Sequence, residues 1–206
     1  MATKATQRKV LAVLAGGLVL GVGTAVTLAA WNDSEFANGT FTAGAFNLQG
    51  STDGTAYADH NSASSAATLA FTLPAGLVGN MSPTSSVYAG FWVRLAAGTT
   101  SGADLVADGT TADAAATSNS DHLSYSIYQL APGATCDAAS ATGTPVATGT
   151  TLDLQTGVTT VPLTAGATST DPGTAVQLCF KVTADAALEP SLVTNATWKF
   201  TATSTN

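Results

Sequence analysis

VYAGFWVRL, Val87 to Leu95, alternates without a break. Val87, Ala89, Phe91, Val93 and Leu95 take one side of an extended chain, and Tyr88, Gly90, Trp92 and Arg94 take the other. Successive side chains of a strand point to opposite faces, so the run predicts a strand with one apolar face. VQLCFKV, Val176 to Val182, repeats the pattern, with Val176, Leu178, Phe180 and Val182 set against Gln177, Cys179 and Lys181. Working outward, Leu123, Tyr125 and Ile127 alternate with serines and Tyr128. Thr68 to Leu73 aligns Leu69, Phe71 and Leu73, and Ala196 to Thr201 places Trp198 and Phe200 in a threonine-rich frame. Leu152 and Leu154, then Val158 to Leu163, read as shorter strands, the latter at a sheet edge because Pro162 has no N–H to donate. Phe41 to Leu48 reads as extended. Phe41 and Ala43 share one face and Phe46 and Leu48 the other, a slip that a bulge at Gly44 accommodates.

About eight short strands separated by turns predict an all-β fold, a two-sheet antiparallel sandwich of jelly-roll type. Composition agrees: charged residues are 9 % of the chain, and Ala, Thr, Ser and Gly outnumber the long helix formers. Asp53 to Ala67, Gly98 to Ser120 and Gly133 to Gly149 read as long loops. ATGTPVATGT, Ala141 to Thr150, is of low complexity. A single helical turn is expected within Asp185 to Leu192, limited by Pro190.

The first thirty residues have another character. Lys4, Arg8 and Lys9 precede an uncharged stretch from Val10 to Ala30 that ends in Ala29-Ala30. This is the order of an export signal, so residues 1–30 are expected to form a signal-peptide helix, cleaved between Ala30 and Trp31. A retained membrane anchor competes, since the stretch is long enough to span a bilayer. Its glycines and the lack of a basic flank at Trp31-Asn32-Asp33 weigh against that reading. Residues 31–206 then make a single domain, long enough to bury a core. That body sets Arg94, Lys181 and Lys199 against all thirteen acids, a net charge of −10, which repels phosphate backbones and argues against nucleic-acid partners.

Cys136 and Cys179 are the two cysteines. In an exported chain a disulfide is the expected state, with two buried free thiols as the alternative. Cys179 lies on the strand face away from Leu178 and Phe180. A partner in the Ala131 to Ala139 loop would therefore have to pass over that outer face.

Motifs for catalysis are missing from the sequence. His60 (ADHNS) and His122 (SDHLS) each follow an aspartate, but neither belongs to H-E-x-x-H, and the chain has no G-x-S-x-G, P-loop or C-x-x-C. Both histidines are read as structural or solvated. Asp53, Asp59, Asp104, Asp108 and Asp113 fall in stretches read as acidic loops where calcium could bind. None matches an EF-hand, and solvated acids are the reading preferred. No metal, cofactor or catalytic residue is expected.

GTAVTLAAWNDSEFANGTFTAGAFNL, Gly23 to Leu48, resembles the start of the SipW-dependent secreted proteins, the TasA/camelysin family of Gram-positive bacteria. The likeness rests on Ala29-Ala30, then Trp31-Asn32-Asp33, then Thr40-Phe41 through Gly44 to Phe46 and Leu48. Asn80 to Leu95 is similar to the family's Asn-x-x-Pro-Gly segment and the strand after it, with Thr84 where glycine is usual. Val176 to Val182 and Ala196 to Ser204 are similar to its last strands. The resemblance implies cleavage by a SipW-type signal peptidase, with Leu28 at the −3 place, a jelly-roll fold, and fibres built by N-terminal strand donation. Trp31, Phe36 and Phe41, within residues 31–43, are the donor-strand candidates. The implied function is a self-assembling structural protein of the cell surface or extracellular matrix. A monomeric binding module or adhesin is the alternative, and a secreted hydrolase a weaker one. Camelysin-type metalloprotease activity is not carried over, because no metal-ligand cluster supports it.

Overall fold

The computed structural model describes residues 3–25, 35, 37–39, 44–73 and 80–205. It divides into two units, Met1–Thr42 and Ala43–Asn206. In the first, α1 is an α-helix over Lys4–Ala25 with no acidic residue in its first turn and no basic residue in its last. Val10, Leu11, Val13, Leu14 and Leu18 are exposed on it. No helix among the described residues is long and apolar enough to cross a membrane.

The second unit holds eight strands among the described residues: β1 (Leu48–Ser51), β2 (Ser86–Leu95), β3 (Gly102–Ala112), β4 (Leu123–Leu130), β5 (Ala147–Gly149), β6 (Val161–Leu163), β7 (Val176–Ala184) and β8 (Ala196–Thr205). They form a five-stranded sheet in the order β1-β2-β7-β4-β5 and a three-stranded sheet in the order β6-β3-β8. Every strand pair is antiparallel. This is an all-β architecture of two sheets with a common core.

The core forms where the two inner faces meet. Val87, Val93 and Leu95 of β2, Tyr125 and Ile127 of β4, and Leu178, Phe180 and Val182 of β7 come from the larger sheet. Ala103, Leu105 and Ala107 of β3 with Val161 and Leu163 of β6 come from the smaller one. Aromatic rings bridge the layers. Trp198 of β8 stands edge-on to Phe180 at 5.1 Å and to Tyr125 at 5.5 Å, and Phe200 lies 6.0 Å from Phe180, the tilted geometry such rings prefer. Burial pushes the Tyr125 phenol up to about 12, opposed by the neighbouring Trp198 indole.

The strands read from alternation at Val87, Leu123, Val176 and Ala196 are present with the expected faces inward, and the run read over Val158 to Leu163 is a strand only at Val161–Leu163. Pro162 sits on β6, an edge strand. Five further expectations need correction. Gly102–Ala112, read as loop, is β3, the middle of the smaller sheet, pairing with β8 from Gly102 opposite Thr205 to Ala112 opposite Ala196. Its inward residues are Ala103, Leu105 and Ala107, so two of three core positions are alanines and the apolar period is faint.

The described part of Phe41 to Leu48 is no bulged strand. Ala45 makes one bridge to Thr99, regular pairing begins at Leu48, and a Cβ at Gly44 would strike the Thr100 side chain. Thr68 to Leu73 keeps its alternation, with Leu69, Phe71 and Leu73 packed on the core, but only Thr72 pairs, with Tyr88. β1 occupies the Trp92 to Leu95 half of that edge of β2, so pairing by this segment is confined to the other half. Leu152 and Leu154 form no strand; Leu152 is buried beneath a turn and Leu154 is exposed. Asp185 to Leu192 makes turns and no helix. The Asp185 carboxylate accepts the Ala187 N–H, and the Asn119 side chain clamps both backbone groups of Glu189.

Gly109 marks where β3 slips register against β8, between Ala107 and Thr110. Its φ is +119°, and a Cβ there would meet nothing within 4 Å. Gly109→Ala is therefore expected to cost about 1–3 kcal/mol from backbone strain alone, read as a lower urea midpoint with an unchanged m value.

Candidate assembly edge

A strand at a sheet edge presents unpaired N–H and C=O groups, and folded proteins usually cover or blunt them. The larger sheet covers both edges. Gly50 of β1 exchanges two backbone hydrogen bonds with Ala58, at 3.0 Å each, and Thr148 of β5 exchanges two with Thr156. In the smaller sheet β6 is three residues long and carries Pro162. Beyond β6, the same side of β3 is plugged by a side chain: the Gln155 amide accepts from Gly109 N–H at 3.1 Å and donates to the Ala107 carbonyl at 2.9 Å. Thr110 Oγ1 donates to the Leu152 carbonyl beside it.

β8 differs. One side pairs with β3 along its length. Among the described residues no backbone or side-chain group bonds to its other side. It is a ten-residue strand. Its inward residues Trp198, Phe200 and Ala202 pack on the core yet remain only half-buried, and the Trp198 indole Nε1, although buried, has no hydrogen-bond partner. On the outer face Lys199 and Thr201 both bond to the Asp108 carboxylate, holding it below the usual carboxylate range.

No family model and no curated protein matches the chain.

Of the residues singled out from sequence, Ala30, Trp31, Phe36 and Phe41 lie outside the described residues. Cys136 and Cys179 are joined in a disulfide with Cα atoms 5.3 Å apart. As expected, it lies on the outer face of β7, where Cys179 is fully buried with Leu130 and Ala141, and Tyr88, Tyr128 and Ala134 pack around it. The loop that carries Cys136 thus covers the outer face of β7 at Cys179, while Leu178 and Phe180 on either side are buried in the core.

The histidines and acids do not converge. His60 Nδ1 contacts the Ser65 carbonyl at 2.8 Å, and His122 Nδ1 contacts Asp185 at 3.1 Å. Asp104 and Asp108 stand on β3 and not in a loop. Asp113 accepts from the backbone and side chain of Asn195, and Asp59 from the Asn47 side chain. Among the described residues no three His, Cys, Asp or Glu side chains cluster as metal ligands do.

Asp53 closes its own turn. Its carboxylate accepts the N–H groups of Thr55 and Ala56 at 2.8 Å each and the Ser51 hydroxyl, which holds the acid well below the usual carboxylate range. The stabilisation is fully present above the unfolded value of about 3.9 and is lost as pH falls toward the lower folded value. In a carboxyl NMR titration Asp53 is expected to stay ionised after ordinary surface carboxylates have taken up their protons. A normal midpoint would mean the turn is open in solution.

Proposed function

We propose that the chain is an exported structural protein of the cell surface or extracellular matrix, of the TasA/camelysin kind, whose copies join by strand donation. The outer edge of β8, unpaired among the described residues, carries this reading. An added strand gains a full ladder of backbone hydrogen bonds there, and its alternate side chains can cover Trp198 and Phe200.

The topology supports it. Along the chain, an eight-stranded jelly roll has one sheet in the order 2-7-4-5 and the other in the order 1-8-3-6. The observed β2-β7-β4-β5 and β8-β3-β6 match both orders, with two departures: β1 adds a fifth strand beside β2, and the strand beside β8 is not among the described residues. Residues 31–43 lie just ahead of β1 and fit that role in sequence order. In a regular added strand Trp31 and Phe41 share the face that would meet the half-buried aromatic row, and Phe36 takes the other. Donation into a neighbour's edge is heterologous, so it does not close and it propagates as a filament.

Export is supported by the basic start of α1 and its exposed apolar residues, which suit a signal segment cleaved after Ala30 by a SipW-type peptidase. The disulfide suits an oxidising compartment. Electron microscopy of the chain beginning at Trp31 tests the reading: ordered filaments are expected, and none from a chain lacking residues 31–41. A monodisperse monomer under all conditions would overturn it.

A further inference from the structure

We propose that a cleft on the outer face of the larger sheet binds an uncharged saccharide, with Trp92 as the stacking platform and the Gln177 amide as the acceptor for a sugar hydroxyl. The cleft holds about 350 Å3, within the range of small-molecule sites. Its wall is formed by Trp92, Tyr57, Gln129, Leu130, Pro132 and Gln177. Trp92 of β2 is paired directly with Gln177 of β7, which is paired in turn with Leu130 of β4, so three neighbouring strands supply its floor.

Two glycines keep the Trp92 ring close to the backbone. A Cβ at Gly90 would lie 2.9 Å from Cη2 and one at Gly54 3.2 Å from Cε2, so a side chain at either position would crowd the indole. Gly54 is set by the turn that Asp53 closes. Tyr57, on the same excursion, is held from behind by Arg94, whose guanidinium carbon is 3.8 Å from the ring centre.

Gln177 is the second, independent observation. It is 5 % exposed, yet its Oε1 is buried without a hydrogen-bond partner. A buried acceptor left unpaired costs free energy, and native proteins seldom keep one without a use. Gln177 lines the cleft, so a ligand O–H or N–H bound there would supply the missing donor once the amide shifts toward it. None of the lining residues carries a charge, which disfavours ionic ligands. A sugar ring offers what remains: a C–H face for the indole and hydroxyls at its rim. This site lies on the outer face of the five-stranded sheet and uses no residue of β8, so it is independent of strand donation.

Isothermal titration of the chain beginning at Trp31 with cellotriose and with chitotriose tests it. Binding of at least one probe with Kd of about 1 mM or tighter is expected. Trp92→Ala and Gln177→Leu should each weaken it about tenfold or more. Trp92→Phe, which keeps an aromatic face, should weaken it less, and it serves if Trp92→Ala folds poorly. The Phe36→Ser, Phe41→Ser chain should bind as wild type does. No binding of either probe to wild type, or wild-type affinity in folded Trp92→Ala and Gln177→Leu, would overturn the assignment.

Discussion

Chains carrying serine at both Phe36 and Phe41 are expected to reach the medium, to melt as wild type does, and to form no filaments. If residues 31–43 serve a neighbour's sheet, their aromatic side chains are buried only in the polymer, and the monomer loses nothing when they are removed. If they instead complete their own sandwich, each Phe lost from a packed core costs on the order of 3–5 kcal/mol. A double loss would then take most of a typical domain's stability of about 5–15 kcal/mol. Thermal melting and filament counting on the same samples separate the cases, and a collapsed melt defeats strand donation.

The acceptor side gives an orthogonal check. Along an antiparallel edge strand, neighbouring residues turn their N–H groups to opposite sides. Of Thr203→Pro and Ser204→Pro, therefore, one removes a donor facing β3 and the other a donor facing away. The outward one should keep the melt and abolish filaments. Filaments unimpaired in both variants would exclude β8 as the acceptor.

Removal of the disulfide is the other large effect. Cys136 and Cys179 are 43 positions apart, and closing a loop of that size stabilises the fold by roughly 4 kcal/mol in the chain-entropy model. At about 2–4 °C per kcal/mol for a chain of this size, Cys136→Ala with Cys179→Ala is expected to lower Tm by about 8–16 °C. Freeing the loop also uncovers the outer face of β7, where Leu130, Tyr88 and Tyr128 pack with the cystine, so bound hydrophobic dye should rise. A Tm within about 2 °C of wild type would mean that the covering loop keeps its place without the bond.

The disulfide was legible in the sequence for a physical reason. Cys179 alternates with Leu178 and Phe180, so its outward direction follows from strand geometry, and the loop preceding β5 is the segment that can pass over it. The strands β2, β4, β7 and β8 were legible through the same period of two, carried by bulky residues. β3 was not, because Ala103 and Ala107 bury little surface and Asp104, Asp108 and Gly109 imitate a turn. The A-D-L-V-A-D alternation around Leu105 was the available signal. The saccharide cleft left no trace at all, since Gly54, Trp92, Leu130 and Gln177 are scattered along the chain.

By itself, then, the sequence determined that β2, β4, β7 and β8 are extended and which faces they bury, which two cysteines can meet, and that the body is acidic behind a basic, apolar N-terminus. These follow from local geometry and composition, which need no knowledge of neighbours. Only the tertiary structure decided which strands are adjacent. It set β3 between β6 and β8 and turned Gln155 to plug one edge. It left β8 unpaired on its outer side among the described residues and buried an amide oxygen of Gln177 without a partner. Sheet pairing joins residues as far apart as Gly102 and Thr205, and hydrogen-bond satisfaction is an accounting over the whole fold. No window of sequence contains either.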